Sequence, residues 1–492
     1  MLRRHVTPAI LAFCLMLTCC LLHDLLADRG MLMVCLAAAC SAPGIVLLRT
    51  TAPGTRRAGI LLLSAGAGCI LGLWSMHRMA QEPHRAHLPF PETEVSSFTG
   101  FLIGDSVLST RGDTILRLSL KEAASRTRGV TASARGKVLV RVRGDYRFSM
   151  GQELTLNAGL ARLDASTGET WTAMGDRKDL LRRGFSFPLW SLRAEARDWL
   201  HKAVSRAGYP ASALMEALLI GSREDVPPEL YDGFKRTGSL HILALSGLHV
   251  GVLYALLLGI LGFLRGKALK LLIATLVLLF YQVLAGFMPS LLRATIMIIL
   301  AGMGMLLDRD GEPLNLLALS GIAVLLASPW QAFSLSFQLS YLALFGILAV
   351  GPVIQRLLQA RIPKIILAPL AMSVGAQIAT FPLVVGQFGI YYPSGLLAGL
   401  LLVPLTTAVL WGALGWLVVF IVPWSLLHDL GAQGFSILYG AIEQVAATFG
   451  RLPAVTLSAQ ALPWSIALSI AFMGALAILV PGRRGAEKAR FP

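Results

Sequence analysis

Charge is scarce in this chain: Asp, Glu, Lys and Arg make up 14% of 492 residues, against 55% hydrophobic. Soluble domains carry about 25% charged residues, so an ordinary soluble globule is excluded and a membrane protein is indicated. Cysteine is scarcer still. All six (Cys14, Cys19, Cys20, Cys35, Cys40, Cys69) lie in the first 70 residues, inside apolar segments, and never at Cys-x-x-Cys spacing. That pattern leaves no disulfide framework and no thiolate metal site. A Walker-type phosphate loop is missing too, so any ATP-driven motor must be another chain. His84-Arg85-Ala86-His87 is the nearest approach to a metal pair, but no aspartate-histidine follows it to complete a binuclear hydrolase motif. No catalytic residue, metal or cofactor is therefore expected, and the chain does not read as an enzyme.

What the sequence does have is apolar runs of membrane-crossing length. Spans are expected at about 8–27, 31–48 and 58–76, then at 239–264, 268–286, 290–307, 313–328, 334–351, 365–386, 394–422, 431–450 and 461–480. Arg3/Arg4, Arg49/Arg56/Arg57, Arg265/Lys267/Lys270, Arg356/Arg361/Lys364 and Arg483/Arg484/Lys488/Arg490 flank alternate ends. The positive-inside rule then gives about twelve spans with both termini cytoplasmic. The expected fold class is an α-helical polytopic membrane protein with an inserted small β-barrel, OB-like, outside the cytoplasm. Its expected parts are N-terminal spans (1–76), the β domain (77–190), amphipathic connecting helices (191–237), a second membrane domain (238–480) and a basic cytoplasmic tail (481–492).

The formal charge of +16 collects outside the spans, because charge at the bilayer centre costs about 2.5–3.5 kcal/mol per residue. Residues 77–209 hold 21 Lys/Arg against 14 Asp/Glu. Phe98–Val107, Thr114–Leu120, Lys137–Arg143 and Glu153–Leu160 have strand lengths and glycine punctuation. Along the third, Val138, Val140 and Val142 alternate with Arg135, Lys137, Arg141 and Arg143, which puts a core on one face and a basic row on the other. A phosphate backbone is attracted to such a row, and so is an anionic lipid surface; the residues alone leave both open. Tyr146 and Phe148 are candidate stacking platforms for bases. Leu192, Trp199, Leu200 and Val204 oppose Arg193, Arg197 and Lys202 on an expected surface helix.

Polar groups inside apolar helices must face protein or water. Ser239, Ser246 and His249 are expected on one side of a helix covering Gly238–Gly251, with Gly247 and Gly251 as a small-xxx-small packing step. Ser334, Gln338 and Tyr341, and then Ser373, Gln377 and Thr380, form two further stripes. The three either line one path or glue helices together. Arg293, in the first turn of its span, snorkels to lipid heads or attracts anions.

The run Phe234-Lys235-Arg236-Thr237-Gly238-Ser239-Leu240-His241-Ile242-Leu243-Ala244-Leu245-Ser246-Gly247-Leu248-His249-Val250-Gly251 resembles the signature of the ComEC-type competence DNA-uptake channel family. Matching positions continue through Ala285-Gly286, Ser290, Arg293-Ala294, Asn315, Ser328-Pro329, Phe337-Gln338-Leu339-Ser340, Ala376-Gln377, Thr380 and Pro382-Leu383. The resemblance covers about 210–420. It implies a bacterial inner-membrane channel that internalises single-stranded DNA during natural transformation. The partners implied are that DNA, membrane lipid, a cytoplasmic ATPase motor and a DNA receptor on other chains. Against that resemblance, the sequence reading to Pro492 is expected to leave no room for the metallo-β-lactamase-like domain that many members carry, so a separate nuclease chain of that kind is an expected partner, as is a second copy of this chain. A permease or exporter for another anion or polymer is one alternative. A membrane-embedded hydrolase using His249 as base is the other.

Overall fold

The computed structural model describes residues 12–17, 53–81, 87–109, 112–162, 171–309, 311–359, 363–420 and 425–457. The expected spans at 31–48 and 461–480, most of that at 8–27, and the tail lie outside the described residues. The span expected at 58–76 falls within α1 (Pro53–Gln81).

Nine strands build the β domain: β1 (Ser97–Leu102), β2 (Val107–Leu108), β3 (Asp113–Ser125), β4 (Val130–Ser133), β5 (Lys137–Arg143), β6 (Gln152–Leu156), β7 (Ala161–Arg162), β8 (Trp171–Gly175) and β9 (Leu180–Phe185). They form one sheet in the order β7-β8-β5-β3-β1-β6-β9, with β2 and β4 pairing to β3 off that path. Alternation along β3 and β5 turns Leu116, Leu118, Val138, Val140 and Val142 into a core with Phe98, Leu154 and Leu156. The expected closed barrel is not what forms. Among the described residues its two end strands do not pair: β7 is two exposed residues and β9 is exposed along most of its length. Neither edge offers the other an apolar strand to close against. At Gly100 the sheet bends: the register with β3 shifts there, and a Cβ would fall 2.5 Å from the Ser119 carbonyl oxygen.

The chain then enters α2 (Pro188–Ser205), α3 (Ala211–Ile220) and α4 (Pro228–Arg236). Leu200, Val204, Leu214 and Phe234 of these helices pack with Leu410, Trp416 and Ile442 from much later in sequence, and Trp416 Nε1 donates to Ala203 O at 2.9 Å. Arg193 departs from the expected surface face, being 1% exposed; Leu192 and Trp199 are exposed.

Beyond them come α5 (Leu240–Leu243), α6 (Gly247–Ile260), α7 (Lys267–Ala285), α8 (Pro289–Leu306), α9 (Pro313–Ala327), α10 (Leu335–Leu358, with a π turn at Gly346–Val350), α11 (Lys364–Phe388), α12 (Ser394–Val419) and α13 (Ser425–Gly450). Among the described residues, five helices are long and apolar enough to cross a membrane: α7, α8, α10, α11 and α12. The expected count of about twelve is not confirmed, three of those spans lying wholly or mostly outside the described residues. α9 has 15 residues, or about 22 Å at 1.5 Å per residue, which is short of a ~30 Å hydrocarbon core. α13 carries His428, Asp429, Glu443 and Gln444 along its length. Residues Ser394–Val419 of the stretch expected at 394–422 form one helix, α12. The span expected at 239–264 is not continuous, and that break shapes the site.

Candidate functional site

Gly238–Gly251 is a broken helix. α5 has four residues; Ala244 and Ser246 are extended, with φ −81°, ψ 137° and φ −129°, ψ 174°; α6 then starts at Gly247. Ser246 and His249 are what stop and restart it. Ser246 Oγ accepts from the Leu248 amide at 3.3 Å. The Ser246 amide donates to His249 Nδ1 at 3.1 Å, and Ser246 Oγ lies 3.0 Å from the same nitrogen. This is a capping box with histidine in place of glutamate. An amide can only donate, so Nδ1 carries no proton and Nε2 carries it. The Leu245 carbonyl, released by the break, accepts from Ser290 Oγ at 2.6 Å. Backbone in a membrane must be satisfied internally, and irregular stretches survive only where protein or a water-filled cavity surrounds them.

The break lies against the first turn of α8. Gly247 allows the approach: a Cβ there would sit 3.0 Å from Arg293 Nη2 and 3.5 Å from Ala294 Cβ. Arg293 is 7% exposed. Its Nη1 donates to the Ser340 carbonyl and, at 2.5 Å, to Ser340 Oγ. The guanidinium stands 5.8 Å from the centre of the Tyr341 ring. Its Nε has no hydrogen-bond partner, and among the described residues no carboxylate faces it. Arg293 therefore does not snorkel. It is a buried cation beside a helix N-terminus, where the backbone dipole is positive as well.

The polar groups of the three expected stripes mostly bond close to home. Ser239 is fully buried, and its hydroxyl turns back to Thr237 O at 3.4 Å; the break removes it from any shared face with Ser246 and His249. Gly251 meets nothing within 4 Å, so Gly247 alone serves close packing. Ser334 caps α10, Gln338 Nε2 holds the Ala332 carbonyl at 2.7 Å, and Tyr341 OH meets Ser320 Oγ at 3.1 Å. In α11, Thr380 bonds to its own helix at Ala376 O, 2.9 Å away. Gln377 Oε1 accepts from Tyr391 OH at 2.7 Å, and Ser373 is half-buried. What comes together is Gly247, Arg293, Ser340, Tyr341 and Ser320.

In the β domain, Arg135, Lys137, Arg141 and Arg143 are all exposed on one face, as alternation required. Phe148 corrects the stacking expectation: it is 6% exposed and belongs to the core, under Arg182 at 4.5 Å from its ring centre. Tyr146 is half-buried beneath Arg177. Tucking both rings under the sheet removes apolar area from water, which an exposed platform forgoes. His84 of the histidine pair lies outside the described residues; His87 and Arg135 exchange backbone hydrogen bonds at 2.7 and 2.8 Å.

Sequence reasoning missed two polar groups, one buried and one half-buried. Gln282 donates to Thr295 Oγ1 at 2.7 Å between α7 and α8, and its Oε1 has no partner; a lone glutamine in an apolar span is the signal that points to it. Asp105, after β1, forms a two-pronged pair with Arg193 at 2.7 and 2.6 Å, while Arg193 Nε donates to Val283 O at 2.7 Å. Arg197 adds Leu284 O at 3.2 Å. These bonds set the β domain on the end of α7, close to the α7–α8 turn that precedes Arg293. Burial alone raises the Asp105 carboxyl, but the Arg193 hydrogen bond, the charges of Arg197 and Arg193 and the Met150 amide together hold it below the ordinary carboxylate value.

A 32% identical stretch of 201 residues is shared with "ComE operon protein 3" of Bacillus subtilis (strain 168), covering 40% of this chain and 25% of that one. An uncharacterized Aquifex aeolicus (strain VF5) protein is 33% identical over 214 residues, 43% of this chain and 49% of its own. "Uncharacterized protein YcaI" of Escherichia coli (strain K12) is 29% identical over 169 residues, 33% and 22% respectively. The chain thus spans less than half the length of these relatives. No solved structure matches. The family model described as "Competence protein" matches residues 218–484, more than half of the chain and all of the broken-helix site. With its membrane-length helices and a β domain seated beside them, the chain is a multi-pass membrane protein that belongs to the Competence protein family.

Proposed function

We propose that the chain is an inner-membrane channel that takes up single-stranded DNA during natural transformation, with both termini in the cytoplasm. The observation that carries this reading is Arg293. A buried cation that faces no carboxylate among the described residues is costly, and a polyanion passing the α5–α6 break supplies a counter-charge. The exposed row of Arg135, Lys137, Arg141 and Arg143 collects the strand by phosphate contacts. From there it meets the end of α7, where Asp105 and Arg193 seat the β domain. The driving force comes from an ATPase on another chain, after a DNA receptor has delivered the strand. A hydrolytic role for His249 has less support, because its Nδ1 is committed to the Ser246 amide.

The test is made in a competent strain lacking its own family member. Expression of this chain is expected to restore labelled single strand in the cytoplasm. Label that stays outside, or a chain that instead drives counterflow of a small anion in vesicles, contradicts the proposal and favours the permease reading.

A further inference from the structure

A second cluster lies away from the broken helix, where α2, α3 and the turn after α3 meet beneath the β domain. His201 of α2, Glu216 of α3 and Asp225 of the turn each place a ligand atom within 4.8 Å of the other two. They line a cavity of about 480 Å³ together with Tyr209, Ser212 and Glu224. Glu216 is the odd member of its helix. Nine of the ten residues of α3 are buried, eight of them apolar, and Glu216 is buried among them at 7% exposure. A carboxylate so placed needs partners for its oxygens. What it has is the His201 ring, with Nδ1 2.7 Å from Oε2. Asp225 is held on one oxygen by Arg147 of the β domain at 2.6 Å, and Glu224 lies 3.8 Å from the same guanidinium.

We propose that His201, Glu216 and Asp225 bind a divalent transition-metal ion of the zinc class. One imidazole nitrogen with two carboxylates suits zinc, whereas magnesium and calcium select all-oxygen sites. Three protein ligands leave a fourth position facing the cavity, whose volume admits water there. The ion neutralises Glu216 and ties α2 and α3 to the turn that Arg147 reaches from the β domain. It acts as a brace between the two parts of the molecule, independent of what passes the membrane. The competing account is two separate ion pairs, His201 with Glu216 and Arg147 with Asp225, and no metal.

The full chain, purified in detergent without a polyhistidine tag, separates the two. The expected result is one Zn²⁺ per chain after dialysis, and tetrahedral d–d absorption when Co²⁺ replaces it. His201→Gln is expected to abolish both. Asp225→Asn, at a half-buried position, is expected to weaken binding by more than the about 10–100-fold that losing a supporting partner costs a metal site. Arg147→Gln, which frees Asp225, is expected to retain the metal. Absence of stoichiometric binding at micromolar Zn²⁺ overturns the proposal, and so does metal content in His201→Gln equal to that of the wild type.

Discussion

Two arginines buried to nearly the same degree, Arg193 and Arg293, live in opposite circumstances. Arg193, at the joint between the β domain and the membrane body, has a two-pronged carboxylate and a backbone carbonyl. Arg293, at the helix break, has one serine, an aromatic face and an unpartnered Nε. A buried charge that is fully paired holds parts of a structure together, because breaking the pair strands the other charge. One that faces no carboxylate among the described residues costs stability, and under the proposed function a passing polyanion offsets that cost. The joint is therefore architecture, and the break is where the proposed channel would meet its polyanion.

The largest effect is expected at the joint. Asp105→Asn leaves Arg193 buried without its counter-charge, a loss of about 3–5 kcal/mol, to be read from thermal unfolding of the full chain in detergent. The same pair sets a pH dependence. Because the folded carboxyl titrates below its ordinary value of 3.8, its stabilisation is complete above that value and is lost as pH falls through the lower folded value. Asp105→Asn is expected to remove this acid limb.

Exposed basic residues supply a middle case. Reversing Arg135, Lys137, Arg141 and Arg143 to Glu is expected to leave unfolding almost unchanged while weakening single-strand binding. Each lost phosphate contact also flattens the log–log salt dependence by about 0.7. Unchanged affinity in low salt removes the row from the path.

The smallest effect comes from the glycines. Gly247→Ala presses on Arg293 Nη2, the end of a flexible side chain, so a stability change below about 1 kcal/mol is expected, with reduced uptake. Gly251→Ala, which meets open space, is expected to leave uptake intact. Equal uptake by the two variants removes Gly247 from the site.

Much of the frame is legible in the amino-acid sequence. Alternation along β5 places Val138, Val140 and Val142 inside and the basic row outside, and apolar length finds α7, α8, α10 and α11. The break at Ala244–Ser246 is not legible from hydropathy, since Leu240–Leu245 is equally apolar whether helical or extended. Its signal is Ser246 followed three residues later by His249, which serves both as a capping box and as a polar face. Asp105 and Arg193 are 88 residues apart, and His201, Glu216 and Asp225 share no local motif. Tertiary pairing of that kind leaves no periodic trace. The barrel expectation fails on its edges: strand length and glycine turns give the central strands, but closure depends on β7 and β9, which are exposed and lack the apolar alternation that marks a strand.

Arg293→Gln, measured for both unfolding temperature and delivery of labelled single strand to the cytoplasm, tests the central contrast most directly. The account predicts that uptake collapses while the unfolding temperature stays level or rises, since a costly unpaired charge has been removed. Normal uptake in a variant destabilised as severely as Asp105→Asn would make Arg293 a second structural arginine and contradict the account.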